Sequence, residues 1–305
     1  MFKYFPGPDG FPETRRPRTR SWKSDTHEFQ EQEDRGKTVL MTEIDVLSGK
    51  DDFEKLENEK VVLLDVEGTV TPGGRHVPKN PRPEHVYQVF EGETFEVKTD
   101  LGYWSGLHLL AGERPSEYFQ RVDKWWNGQI TREEFEEKNV NQLNQLLDRS
   151  DHETAQDLVE WYNQSFLNLR EKSPELVKAF HSEEFSVGVL SHTSESLSIT
   201  AAEQLDADFV VPSWTFQFEE GRFEFIEKEI YADDKSEVVD EMKEAGVEEI
   251  YFVGNGENDI DICERADQAF MIENKEQINY EQLDADSGEF EEVIKKVRDC
   301  LGGNN

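Results

Sequence analysis

Basic residues are scarce in this chain: 33 Lys and Arg stand against 68 Asp and Glu in 305 residues, a formal charge of −35. That deficit excludes nucleic acid and an anionic membrane surface as natural partners, because like charge repels at long range. Cysteine is scarcer still. Cys263 and Cys300 allow one disulfide at most, and neither has a CxxC partner or metal-ligand spacing. Long apolar runs are missing as well. No stretch approaches the roughly 18 residues of a membrane span, and the N-terminus lacks the apolar core of a secretory signal. These absences predict a cytoplasmic protein. What the chain has in excess is acid, spread along most of its length. Such a surface stays solvated in concentrated salt, where screening is nearly complete over a few Å. The composition therefore predicts a halophilic cytoplasm.

The N-terminal part is written in another style. Residues 1–40 carry eight Lys or Arg and seven Asp or Glu, a net +1, so the remaining 265 residues carry −36 to give the total of −35. FPGPDGFPETRRPRTRSW is rich in Pro, Gly and Arg and has no period, the composition of a segment that cannot bury a core. Residues 1–58 are therefore expected to be a disordered or mis-annotated extension. Met41, which opens the acidic stretch MTEIDVLSGKDD, is expected to be the natural start; a peptide from residues 1–40 in the native protein would rule this out.

From residue 61 short apolar runs alternate with helical patterns. VVLLDV (61–66), SVGVLSHT (186–193), DADFVVPSW (206–214), EEIYFVGNG (248–256) and QAFMIEN (268–274) have the length and composition of buried strands. PELVKAF, SESLSITAAEQL, KSEVVDEMKEAG and SGEFEEVIKKVRDCL read as helices between and after them. Alternation of this kind predicts an α/β fold, a Rossmann-like parallel sheet covered on both faces. SWTFQFEEGRFEFIEKE (213–229) alternates Phe with polar residues around a Gly-containing turn and predicts a β-hairpin whose role is packing. About 120 largely helical residues separate the first two strands, where a crossover needs only a dozen or more. They are an inserted helical cap. The division expected is 59–74 and 176–305 for the core and 75–175 for the cap.

In a parallel sheet, sites form beyond the carboxyl ends of the strands, and four of those ends carry chemistry. The first strand stops in Asp65 and Glu67. A strand-end carboxylate can attack phosphorus, and a second one nearby can protonate the leaving oxygen and then activate water; the plain alternative is a capping Asp beside a surface Glu. The second strand ends at Ser191, followed by His192 and Thr193, where a hydroxyl and helix-start amides suit phosphate oxygens. Lys235 begins a helix, against the helix dipole, which calls for a compensating anion. GNGENDIDI (254–262) supplies Asn255, Glu257, Asn258 and Asp259, oxygen donors suited to a hard ion such as Mg²⁺.

In that order these motifs resemble the haloacid dehalogenase superfamily of phosphohydrolases over roughly residues 59–301, and most nearly its phosphoserine phosphatase-like branch. WWNGQITREEF (125–135) is similar to cap segments of that branch. The resemblance implies an Mg²⁺-dependent phosphatase of a small phosphorylated metabolite. Asp65 would be the nucleophile and Glu67 the general acid and base. Thr69, Ser191, His192 and Lys235 would bind the phosphoryl group and hold its loops, and Asp65, Glu67 through its backbone carbonyl, Asn255 and Asp259 would hold Mg²⁺. Two residues depart from the family pattern: Glu67 and Asn255 each stand where Asp is usual. Enolase-phosphatases also carry Glu at the former position. Asn255 keeps an oxygen but loses a charge, which feeds the alternative of a degenerate, non-catalytic ligand- or partner-binding protein. TPGGRHVP (71–78) lacks the acid with which phosphoserine enzymes hold the substrate amine, so phosphoserine is not the expected substrate. In the cap, Arg114, Arg121, Lys124, Trp125 and Trp126 are either an anion-binding cluster or ordinary surface charge and core Trp. A homodimer is left open.

Overall fold

The computed structural model describes residues 44–72, 86–89, 93–96, 102–113, 115–228, 235–273, 278, 280 and 283–302. Residues 1–43, and with them Met41 and the arginine-rich stretch, lie outside that set.

The strands are β1 (Asp45–Val46), β2 (Lys60–Leu64), β3 (Val86–Val89), β4 (Glu93–Glu96), β5 (Phe185–Leu190), β6 (Phe209–Val211), β7 (Trp214–Glu219), β8 (Arg222–Lys228), β9 (Glu249–Gly254), β10 (Gln268–Ile272) and β11 (Asp286–Gly288). Seven of them form one parallel sheet in the order β1-β6-β5-β2-β9-β10-β11. β2 is central, between β5 and β9. The chain builds outward from it on one side, then returns to lay β9 on the other. The crevice at the carboxyl end of β2 is thus the topological switch point, where ligands of such sheets bind.

β2 is apolar on both faces because both faces are covered. Val62 and Leu64 enter one core cluster, Val61 and Leu63 the other, and all four are fully buried. Each such side chain contributes roughly 1.5–3 kcal/mol, so the strand that delivers Asp65 is among the most firmly held parts of the molecule. On the first face lie α6 (Ser173–His181), α7 (Glu195–Leu205) and α10 (Phe290–Gly302); on the second lie α1 (Lys50–Phe53), α8 (Ser236–Glu244) and α9 (Ile260–Arg265).

Between β2 and β5 run α2 (Tyr103–Leu110), α3 (Pro115–Trp126), α4 (Arg132–Leu147) and α5 (Ala155–Phe166), the inserted helical cap. Local chemistry fixes their starts. Thr131 and Glu134 form a reciprocal capping box on α4, and the Thr154 hydroxyl accepts from the Asp157 amide at the start of α5. The hairpin β7–β8 turns at Glu220 and Gly221, both with positive φ (49° and 77°), the two-residue turn that suits a right-twisted hairpin. It packs on the cap as expected: the Asn144 amide bonds both ways to the Phe223 backbone (2.7 and 3.1 Å), and Gly221 O accepts from Ala155 N at 2.7 Å.

One boundary expectation fails. Residues 44–58 are not an extension outside the body. β1 pairs with β6 at the sheet edge, and Leu47 and Phe53 are buried in the core. The strand is two residues long and half-covered, so it carries no alternation for a sequence to show. Among the described residues no helix is long and apolar enough to cross a membrane.

Candidate active site

Asp65 follows the last residue of β2. Its amide donates to Val253 O on β9 at 3.0 Å, which anchors it at the floor of the crevice. The chain then turns sharply: Gly68 has φ 89°, and a Cβ there would collide with the Asn255 side chain. Asp-x-Glu-Gly-Thr is a strand end plus the glycine that lets two loops meet.

Three buried charges meet here. Lys235 Nζ lies 2.8 Å from Asp65 Oδ1 and 3.0 Å from Asp259 Oδ1, and all three side chains are nearly inaccessible. Asp259 Oδ2 accepts from the amides of Asn255 and Gly256, both at 2.9 Å. Burial opposes the charge on Lys235, but Asp259 and Asp65 together outweigh it and hold the ammonium above the usual lysine range. Burial likewise opposes charge on Asp259, where Lys235 and the two amides outweigh it and keep the carboxyl below its usual range. Asp65 has less help. Burial pushes its carboxyl up; Lys235 pulls the other way, and the charge of Asp259 adds to the rise. Asp65 is therefore the less stabilised of the two anions and the one that gains more from a further cation.

The other sequence-derived residues gather around this triad. Ser191 is buried at the end of β5, and its hydroxyl acts on the Asp65 carboxylate. Thr69 is fully buried; its hydroxyl donates to Asn255 Oδ1 at 3.0 Å and lies 3.4 Å from Asp65 Oδ2, so it ties the first loop to the last. His192 accepts through its carbonyl from Trp104 Nε1 at 3.2 Å, and its Nδ1 lies 3.3 Å from Asn258 Nδ2. Glu67 Oε1 accepts from the Tyr103 amide at 2.8 Å, at the first turn of α2. The second carboxylate thus touches the cap, and α2 bridges both halves of the site. Tyr103 and Trp104 are not legible from sequence in this role, because one acts through its backbone.

Asp259 departs from expectation. The sequence places it among the metal ligands, yet both its oxygens face donors. It is the counter-ion of Lys235 and the clasp of the 255–259 turn. Among the described residues no group of three or more His, Cys, Asp and Glu is arranged to hold a metal. The remaining candidate oxygens are Asp65 Oδ2 and Asn255 Oδ1, which share the Thr69 hydroxyl, and the Glu67 carbonyl expected from the sequence. They are all oxygen, and they fit a hard cation in kind while offering one formal charge.

The cap residues separate clearly. Arg121 is buried and doubly paired with Glu113, its second contact at 2.6 Å, and Arg121 Nε donates to Asn139 Oδ1 at 3.0 Å. It has no fork left for a substrate. Trp125 stacks on Phe135 and meets Trp214 edge-on, whereas Trp126 is 69% exposed. Lys124 is exposed, and the Arg114 side chain lies outside the described residues.

The Arg121–Glu113 pair carries a prediction. His108 is stacked on Tyr118 with Nδ1 3.2 Å from Glu113 Oε2. Burial works to raise the Glu113 carboxyl, but His108 and Arg121 outweigh it and hold it at about 2, against an ordinary 4.5. A depressed carboxyl stabilises the fold fully above pH 4.5, and the stabilisation is lost as pH falls toward 2. Burial also lowers His108, so its neutral form adds a further loss as pH drops below the usual imidazole range. Glu113→Gln is expected to cost roughly 3 kcal/mol at pH 7. Its gap to wild type should narrow by about 1.4 kcal/mol per pH unit below 4.5. Denaturant unfolding of both proteins from pH 7 to pH 3 checks this, and a constant gap refutes it.

A family profile described as haloacid dehalogenase-like hydrolase matches residues 59–267, more than half of the chain. The chain belongs to the haloacid dehalogenase-like hydrolases. A comparison with curated proteins gives no significant match. Among solved structures, it is similar to a phosphoserine phosphatase captured as an analogue of its phospho-aspartyl intermediate, at 17% identity and TM-score 0.51, covering 79% of this chain and 99% of that one. A substrate-bound phosphoserine phosphatase is similar at 16% identity and TM-score 0.51, covering 79% and 99%. An unliganded probable phosphoserine phosphatase from Vibrio cholerae is similar at 16% identity and TM-score 0.51, covering 83% and 70%. At such identities the likeness speaks for the fold.

Proposed function

We propose that the chain hydrolyses the phosphate monoester of a small metabolite through a phosphoryl group carried on Asp65. The observation that carries the reading is the buried Asp65–Lys235–Asp259 triad at the switch point of the sheet, with Ser191 beside it. Asp65 attacks phosphorus; the bond to the leaving oxygen breaks, and Glu67 supplies that oxygen's proton. Water then attacks the same phosphorus, Glu67 takes a proton from it, and the bond to Asp65 breaks, releasing phosphate. Lys235 and Ser191 face the charge that develops on the transferring group, and the amides after Ser191 extend that cradle. Asp65, Asn255 and the Glu67 carbonyl would hold Mg²⁺, which when bound supplies the positive charge that lets one anion approach another.

The neighbours named as phosphoserine phosphatases support the reaction class. The absence of an acid in residues 71–78 argues that this substrate is not phosphoserine. A second reading, a ligand-binding protein without turnover, is favoured by Asn255, whose oxygen is shared with Thr69 where the family pattern has a charge.

Phosphate release from a panel of phosphomonoesters that includes phosphoserine, in molar KCl with and without Mg²⁺, decides between them. Mg²⁺-dependent release from a substrate other than phosphoserine is the expected result. Folded protein that releases phosphate from nothing at saturating Mg²⁺ refutes the enzymatic reading.

A further inference from the structure

The two strands of chain that join cap to core meet directly behind the catalytic loop. Going out, residues 66–71 leave β2; coming back, residues 167–172 join α5 to α6. Arg170 spans the gap. Its Nε donates to Thr69 O (2.9 Å) and Thr71 O (3.1 Å), and one terminal nitrogen donates to Gly68 O at 3.1 Å. Its backbone amide donates to Val70 O at 2.8 Å, where the Ser173 hydroxyl also donates at 2.8 Å. Four consecutive carbonyls of the outgoing loop are thus held by Arg170 of the returning one, with Ser173 at the start of α6 adding a second bond to Val70 O. The guanidinium is itself located by the Phe290 ring of α10, 4.8 Å from the centroid.

From this network, which rests on the phosphatase reading above, we infer that Arg170 is a positioning residue for catalysis: it fixes the 66–71 loop so that Asp65 and Glu67 address the same phosphoryl group. The loop needs such a clamp. Its turn runs through a left-handed Gly68, and Glu67 has an extended ψ of 112° inside an otherwise helical stretch, so its carbonyls are not satisfied by regular helical hydrogen bonds. A planar fork with several donors matches three carbonyls at once, which a lysine ammonium on a flexible stem does not. Asp65 and Glu67 both lie just before the carbonyls it grips, Glu67 directly joined to Gly68 and Asp65 anchored to β9 through its own amide. Loosening it displaces one carboxylate relative to the other, and a misplacement of about 1 Å costs on the order of 10²-fold in rate.

Arg170→Lys and Arg170→Met test this on the full chain in molar KCl. Steady-state phosphate release on the best substrate of the panel and amide hydrogen exchange of residues 66–71 are the readouts, with thermal unfolding as the control for folding. Expected are a kcat lowered about tenfold in the lysine variant and about a hundredfold in the methionine variant, with KM changed less than about threefold. Exchange in 66–71 should quicken at least about tenfold while the sheet amides stay protected. A kcat within about twofold of wild type in both variants overturns the inference, and so does unchanged exchange. If wild type itself releases no phosphate, the phosphatase reading fails on its own. The exchange comparison then still decides whether Arg170 fixes the loop.

Discussion

Asp65→Asn is expected to lower phosphate release by on the order of 10³-fold or more while leaving the chain folded. The two halves of that result have separate causes. An amide has the shape of the carboxylate but neither its charge nor its nucleophilicity, so no phosphoryl group can be carried at this position. The fold survives because the substitution keeps the volume and relieves a strained charge: burial already pushes the Asp65 carboxyl toward neutrality. Lys235 retains Asp259 at 3.0 Å, and Thr69 retains Asn255 at 3.0 Å, so neither is left alone in the interior. Rate and denaturant unfolding in the same molar KCl check both halves. A variant within tenfold of wild type would remove Asp65 from the chemistry. A variant that is inactive because it is unfolded would contradict the buried network that the other contacts describe.

Much of this site is readable in the sequence because its parts sit at strand ends. Asp65, Ser191 and the 254–259 turn each follow an apolar run short enough to be a buried strand, and Lys235 starts a helix where a cation is out of place. All of them converge in space. What sequence order cannot convey is which charges satisfy one another. Asp259 looks like one more oxygen for a metal, yet three donors already face it, among them two amides that no side-chain pattern advertises. Arg121 looks like a basic residue available to an anion, yet Glu113, eight residues earlier, takes its guanidinium. Arg170 gives no signal at all, because its partners are main-chain carbonyls about a hundred residues away. The fold shows the same division. Five core strands and the hairpin are legible from composition and alternation; β1 and β11, two and three residues long, have no room for a period.

Three of the contacts described between cap, core and hairpin bear on the site. Glu67 is bonded to the α2 amide, Trp104 reaches His192, and the hairpin is bolted to α4 and α5 through Asn144 and Gly221. The first two involve expected site residues, so the orientation of α2 and the geometry of the site are set together. Trp104 also packs edge-on against Trp214 and Phe216 of the hairpin. A shift of the hairpin is thereby felt at the carbonyl that follows Ser191.

Lys235→Met is expected to remove activity and to cost the fold about 3–5 kcal/mol, the penalty for breaking a buried ion pair from one side. Methionine fills the channel of the lysine stem, so the loss is electrostatic rather than a cavity. Asp65 and Asp259 each lie within 3.0 Å of the missing nitrogen, and without it two nearly inaccessible carboxylates face each other. Molar salt gives little relief, because counterions screen exposed charge and reach a buried pair poorly. The pH dependence follows from the sign of the change. With no cation between them the two carboxyls are pushed up, so the unfolded chain ionises first and the variant loses ground as pH rises through the unfolded carboxyl range. The deficit relative to wild type should shrink from pH 8 to pH 5. Adding Asp259→Asn removes one of the two like charges while its side-chain oxygen still accepts from the Asn255 and Gly256 amides. The double variant should recover a large part of the stability and none of the activity, since the phosphoryl group still meets no ammonium. Unfolding of the single and double variants at both pH values makes the comparison. A single variant within about 1 kcal/mol of wild type at neutral pH would mean that Lys235 is not the desolvated centre of this site.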